Sequence, residues 1–273
     1  MGKEFIALKD GNKLAYQIYG DGKHTLVLLH GLAGSSWLGG EWIEAIKNAG
    51  VRCIAFERPG YGDSSPMEIN SVSDWIAVFA QAIEQMSIKS ADVIGCSAGA
   101  PYAYAAAYGF PGIISRVWNL GGVPAVYLES ILNHYSPESK AAYNNFLSLP
   151  LSNIQEYYSK QMKAFAKNME AGAEPYLINT IKDACTNNYL GMARESKLQI
   201  VPWGFEITSI EQPVVLWHAK NDEMVPYEAV KEMAQLLKKA EFHTADESTF
   251  RREGSIHIKS IEQGFFKLLK SYM

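Results

Sequence analysis

A chain of 273 residues, 48% hydrophobic and 20% charged, carries apolar material for one or two ordinary globular domains. Its 25 Lys and Arg against 29 Asp and Glu leave a net charge of −4 at pH 7, which excludes the basic field that binds nucleic acid or an anionic membrane. The three cysteines, Cys53, Cys96 and Cys185, form no CxxC pair and exclude a disulfide framework or a structural zinc site.

The first residues lack the apolar segment of a signal peptide, and no apolar run reaches membrane-span length, so a cytoplasmic protein with a small-molecule substrate is expected. The oligomeric state stays open. In chain order, "EFIALKD" and "KLAYQIYG" alternate apolar and polar residues around Asp10-Gly11-Asn12, the pattern of a hairpin at a sheet edge. The runs "HTLVLLH" (24–30), "VRCIAFE" (51–57), "ADVIGC" (91–96), "SRVWNLGG" (115–122) and "PVVLWHA" (213–219) are nearly unbroken apolar stretches, as expected of strands covered on both faces. Helical stretches separate most of them: "GEWIEAIKNAG", then "SVSDWIAVFAQAIEQM" with Ser71 and Asp74 in capping-box spacing, and later "YEAVKEMAQLLKKA" after Pro226. This alternation predicts an α/β fold, a mostly parallel sheet of about eight strands with helices on both faces.

Residues 126–210 break the alternation. Long helical stretches rich in aromatic and sulfur side chains, among them Tyr135, Tyr158, Met162, Met192 and Trp203, replace the strands. The predicted organisation is a core of 1–125 and 211–273 with a helical cap inserted over 126–210, whose aromatic residues either fill its own core or roof a pocket.

The segment "ADVIGCSAGAPYAY" poses a chemical question, because Gly95 and Gly99 flank one hydroxyl, Ser97, where a strand runs into a helix. A nucleophile on so sharp a turn needs neighbours with almost no side chain. Ala98, next in line at the helix amino end, offers a backbone N–H to a developing oxyanion. "LLHGLAGSS" puts His30-Gly31-Leu32 after an earlier strand, where the Leu32 N–H is a second candidate donor, and "FERPGYGDSS" forms a tight loop on the same edge.

These motifs resemble the α/β-hydrolase family over essentially the whole chain, with 126–210 standing where that family places its cap. The family usually has Asp in place of Glu57. The resemblance implies a Ser-His-Asp triad in the chain order Ser, acid, His. It points to Ser97 as nucleophile and to Asp222 in "HAKNDEMVPYEAV" as acid, with Glu223 the neighbour that competes for the role. His257 in "GSIHIKSIEQ" is the implied base, expected in a loop before the last helix although the family's usual Gly before this His is missing. The other histidines, His24, His30, His134, His218 and His243, read as structural, and Cys96 as a small buried thiol rather than a nucleophile. No cofactor and no metal are expected. The expected activity is hydrolysis of a small apolar carboxylic ester through an acyl-enzyme. Other bonds on the same triad (thioester, lactone, amide, C–C) and a ligand-sensing role without turnover are the alternatives; serine at the elbow argues against the dehalogenase and epoxide-hydrolase branches, which carry Asp there.

Overall fold

A computed structural model describes residues 2–168, 173–250 and 254–273. The chain opens on an antiparallel hairpin, β1 (Glu4–Ala7) and β2 (Lys13–Tyr19). At its turn Gly11 takes a φ of 84°, and the Asp10 carboxylate accepts the Asn12 N–H at 3.0 Å. The remaining strands are β3 (His24–Leu29), β4 (Val51–Phe56), β5 (Ala91–Cys96), β6 (Ile114–Leu120), β7 (Val214–His218) and β8 (Ala240–Thr244). They form one eight-stranded sheet in the order β1-β2-β4-β3-β5-β6-β7-β8. β2 joins β4 antiparallel, and β3 through β8 pair in parallel.

Parallel strands need covering on both faces, and the side chains alternate accordingly. Val27, Leu29, Ile54 and Phe56 enter one core with α2 (Asp74–Gln85), α3 (Ala100–Gly109) and α9 (Tyr227–Leu236). Leu26, Leu28, Cys53 and Ala55 enter the opposite core with α1 (Gly40–Asn48) and α10 (Ile256–Lys270), where Trp42 stacks on Phe265 at 3.9 Å. The Ser71–Asp74 spacing works differently from a capping box. α2 starts at Asp74 itself, whose carboxylate accepts the N–H groups of Asn70 and Ser71, and the Ser71 hydroxyl donates to it. α9 also ends earlier than its pattern suggests, because β8 must begin at Ala240 to pair with Val214.

Between β6 and β7 the described residues form five α-helices and no strand: α4 (Glu129–Leu132), α5 (Pro137–Ser148), α6 (Leu151–Asn168), α7 (Pro175–Ala184) and α8 (Thr186–Leu198). Positions 169–172 of the expected insertion lie outside the described residues. Its aromatic residues divide between two roles. Trp203 is fully buried and stacks on Tyr104 of α3, so it belongs to the main core. Met162, Ile181, Ala184 and Met192 form a separate apolar cluster with Tyr61, against which Leu32 and Tyr158 pack. Among the described residues no helix is long and apolar enough to cross a membrane.

Candidate active site

The carboxyl ends of β3, β5, β6 and β7 share one edge of the sheet, where open α/β sheets bind ligands. Ser97 follows β5 directly, half-buried, with a φ of 49° that is strained for a residue with a side chain. The flanking glycines are sterically required. A Cβ on Gly95 would lie 2.5 Å from the Ala100 Cα, and one on Gly99 would lie 2.1 Å from the Leu29 carbonyl oxygen. A short 3₁₀ turn, 97–99, leads into α3 with Pro101 in its first turn. Cys96 points into the core, and burial pushes its thiol up to about 12, so no thiolate competes with Ser97.

Asp222 and His257 meet. His257 Nδ1 lies 2.7 Å from Asp222 Oδ2, and the other carboxylate oxygen accepts the N–H groups of Met224 and Val225, both at 2.9 Å. Burial alone would push the Asp222 carboxyl up. The hydrogen bond and charge of His257, with the Val225 N–H and His218, outweigh it and hold Asp222 below the usual carboxylate range. With Nδ1 donating to the carboxylate, the neutral ring has Nε2 as its acceptor nitrogen; that atom is buried and has no hydrogen-bond partner among the described residues. Ser97 and His257 are not hydrogen-bonded to each other. The loop after β6 touches both: the Val123 N–H donates to the Ser97 carbonyl at 3.1 Å, and a Cβ on Gly121 would come within 3.3 Å of His257 Cε1.

His257 lies in the first turn of α10, which corrects the expectation of a loop before that helix. The reason is Glu223. Its carboxylate accepts from the Ser255 hydroxyl and from the His257 N–H, so it anchors the amino end of the helix one turn earlier. Glu223 is thus engaged with the base's backbone while Asp222 holds its ring.

The loop after β3 abuts Ser97: a Cβ on Gly31 would lie 3.4 Å from Ser97 Cβ. The Leu32 N–H finds no acceptor among the described residues. The carbonyls around it are all held. Arg58 Nη1 donates to the His30 oxygen at 2.5 Å, His30 Nδ1 and the Gly34 N–H donate to the Gly31 oxygen at 2.7 and 3.0 Å, and the Tyr61 hydroxyl donates to the Leu32 oxygen at 2.7 Å.

Arg58 in turn is fully buried and paired with Glu195 of α8, Nε to Oε1 at 2.5 Å and Nη2 to Oε2 at 2.8 Å. Sequence reasoning read "FERPGYGDSS" for its proline and glycines and passed over Arg58 and Tyr61; Glu195 carries no local signal at all. A buried ion pair of this kind loses several kcal/mol per ion in desolvation, so bulk stability alone is a weak reason for it. The path that delivers Glu195 is also strained. Asn187, Asn188 and Tyr189 at the start of α8 take φ of 50°, 54° and 63°, which for Tyr189 costs about 1–2 kcal/mol, and Asn187 Nδ2 donates to the Gly60 oxygen at 3.2 Å.

Glu57 explains its own departure from the family's Asp. Its longer side chain reaches the Ser36 hydroxyl at 2.7 Å and the Lys3 ammonium at 2.8 Å, and Gly62 leaves it room, since a Cβ there would lie 2.0 Å from Oε2. Lys3 also meets Asp183 of α7 at 2.8 Å and so ties the amino-terminal segment to the insertion.

The remaining histidines are occupied elsewhere. His24 packs on Tyr272, His134 meets Glu232 and His243 stacks on Trp217. His218 is fully buried with Nε2 at 2.8 Å from the Val225 oxygen. Burial lowers the pKa of His218, and burial plus the Arg58 charge lowers that of His30 well below the usual histidine value. Both therefore stay neutral in the folded chain. The sign follows: stability from each is full above about pH 6.5, and below it the unfolded chain takes up protons that the fold refuses. A loss of at most about 1.4 kcal/mol per pH unit for each residue is expected, down to its folded-state pKa. Thermal melting between pH 7.5 and 5.5 measures it, and a midpoint that stays constant over that range would contradict the neutral assignment.

Among the described residues no group of three or more His, Cys, Asp and Glu could hold a metal ion. A cavity of about 590 Å³ lies elsewhere, lined by Trp118, Trp217, His243 and Lys267, and contains none of the residues assembled at the carboxyl edge.

The profile of a family described as alpha/beta hydrolase fold matches residues 24–173. A 2-hydroxy-6-oxononadienedioate/2-hydroxy-6-oxononatrienedioate hydrolase of Paraburkholderia phymatum is 26% identical over 253 residues, covering 86% of this chain and 84% of that protein. A hydrolase from Pseudomonas aeruginosa superposes with a TM-score of 0.70 at 18% identity, covering 99% and 98% of the two chains. An esterase from Exiguobacterium antarcticum superposes at 0.69 with 17% identity, covering 100% and 99%.

Proposed function

Because the chain belongs to the alpha/beta hydrolase fold family, we propose that it is a serine hydrolase in which Ser97 attacks a carbonyl, His257 moves the proton and Asp222 orients His257. The observation that carries this reading is the 2.7 Å contact of His257 Nδ1 with Asp222, which leaves Nε2 as an unpartnered acceptor beside the loop that touches Ser97. A serine hydroxyl needs such a base to become a nucleophile. Nε2 takes the Ser97 proton as the Oγ–carbonyl bond forms, and the tetrahedral oxyanion is received by the Leu32 and Ala98 N–H groups. The same proton then passes to the departing alcohol, leaving an acyl-Ser97. Water, deprotonated by Nε2, attacks the acyl carbon and releases the acid.

For the substrate we infer an uncharged, apolar carboxylic ester. The helical insertion over 126–210 acts as a cap, and its residues in the cluster against which Leu32 packs include Met162, Ile181, Ala184 and Met192. The Paraburkholderia phymatum relative is named for hydrolysis of 2-hydroxy-6-oxononadienedioate, a dicarboxylate with a ketone, which makes C–C cleavage the second reading. A dianion entering an apolar cleft needs cationic partners. Two half-buried cations of α8 are committed elsewhere, Arg194 to the Met67 oxygen at 2.5 Å and Lys197 to the Leu149 oxygen at 2.7 Å.

The test is a rate series on p-nitrophenyl esters from acetate to decanoate beside a vinylogous dicarboxylate diketone. Turnover of the esters with an optimum at intermediate chain length is expected. Turnover confined to the diketone would replace the ester reading by C–C hydrolysis, and tight ligand retention without turnover on either would point to a sensor.

A further inference from the structure

We propose that Arg58, Tyr61 and Glu195 are positioning residues that aim the Leu32 N–H at the oxyanion, so that the seat of the helical insertion sets the rate at Ser97. The inference rests on the hydrolytic reading of Ser97 given above.

The direction of one N–H is fixed by its own peptide plane. In a trans peptide the carbonyl and the N–H point opposite ways. The Gly31 oxygen is held by His30 Nδ1 at 2.7 Å and the Gly34 N–H at 3.0 Å, so the Leu32 N–H points away from that pair, where it meets no acceptor among the described residues. That plane turns freely only if its neighbours turn, and both neighbours are anchored. The preceding carbonyl, His30, takes Arg58 Nη1 at 2.5 Å, and the following one, Leu32, takes the Tyr61 hydroxyl at 2.7 Å.

Both anchors converge on a single carboxylate. Glu195, 137 residues from Arg58 in sequence, grips Nε and Nη2 of the guanidinium and lies 2.9 Å from the Tyr61 hydroxyl. The Arg58 fork divides its donors, Nε and Nη2 to Glu195 and Nη1 to the loop. Tyr61 has one phenolic hydrogen between two acceptors, the Leu32 oxygen and Glu195 Oε2. Its ring is wedged: it meets His30 edge-on at 4.7 Å, and a Cβ on Gly191 of α8 would lie 2.5 Å from Tyr61 Cδ2. A displaced α8 would therefore move Glu195, then Arg58 and Tyr61, then the two carbonyls that bracket the Leu32 N–H. None of the three side chains needs to touch substrate for this.

The experiment is Tyr61→Phe, which deletes the hydroxyl and keeps the wedge, with Glu195→Gln as the second variant. Each is compared with wild type for kcat, KM and the pH profile on the best p-nitrophenyl ester, and for inhibition by an aliphatic trifluoromethyl ketone. The ketone forms a tetrahedral adduct whose oxygen occupies the oxyanion position. For Tyr61→Phe a fall in kcat of roughly tenfold to a hundredfold is expected, with KM within about twofold and ketone affinity falling in step with kcat/KM. The pH midpoint should stay in place, because the Asp222–His257 pair is untouched. Wild-type kcat in Tyr61→Phe, or a rise in KM alone with unchanged ketone affinity, would overturn the proposal, since a packing role predicts the latter. If Glu195→Gln does not fold, Tyr61→Phe decides alone. A wild type that neither turns over esters nor reacts with a fluorophosphonate at Ser97 would sink the hydrolytic reading itself and this proposal with it, a result distinct from an active wild type beside an unaffected variant.

Discussion

Ser97→Ala is expected to lower kcat/KM for the best ester by roughly 10⁴-fold or more, while the protein keeps its melting temperature within a few degrees. The size follows from the role. Without Oγ there is no acyl-enzyme, and what remains is the contribution of the oxyanion donors and of binding, which in such sites leaves a measurable rate above water. Stability should hardly move because the strain at position 97, a φ of 49°, belongs to the backbone that Gly95 and Gly99 permit, and alanine inherits it. A fluorophosphonate should label the wild type once and Ser97→Ala not at all. Cys96 cannot substitute, since its thiol is buried and held protonated. A variant retaining half the activity would remove Ser97 from the mechanism. Adding His257→Ala to Ser97→Ala should cost little more, because residues that act as one unit are not additive.

The parts of the fold that could be read in the sequence are those written locally. The strands announce themselves because parallel strands bury both faces, which turns "HTLVLLH" and "ADVIGC" into nearly unbroken apolar runs. The elbow is legible because two glycines two residues either side of a serine solve a steric problem that a few consecutive residues define, and the distances at Gly95 and Gly99 are that problem in ångströms. Helix limits were less legible. Where α10 starts depends on Glu223, a residue 34 positions away from the His257 N–H that it accepts. The support of the β3 loop was not legible at all, because Arg58 and Glu195 are ordinary charged residues until the fold joins them across 137 positions. Lys3 is the same case. A lysine at the start of a chain reads as solvated, and only the fold that brings Glu57, Asp63 and Asp183 of α7 together makes it an internal tie.

Asp222→Asn is the second large effect, and the geometry dictates its form. The two oxygens of Asp222 are not equivalent: Oδ1 receives two backbone N–H donors, from Met224 and Val225, and Oδ2 receives His257 Nδ1. An asparagine in that place must keep its carbonyl oxygen on the two backbone donors, because its amide group would confront them hydrogen to hydrogen. The NH₂ is then presented to His257 Nδ1. A donor there forces the imidazole into the tautomer with its hydrogen on Nε2, the nitrogen that has to accept the Ser97 proton. A loss on the order of 10³- to 10⁴-fold in kcat is expected with KM nearly unchanged. Glu223→Gln is the matched control: it leaves Oδ1 and Oδ2 of Asp222 alone and weakens only the grip on Ser255 and the His257 N–H, so a change of a few fold is expected. His218 does not rescue the variant, since its Nε2 is bound to the Val225 oxygen and the ring is buried. Equal losses in the two variants would mean that Glu223 shares the acid's role, and a loss below tenfold in Asp222→Asn would mean that His257 does not need this carboxylate to choose its tautomer.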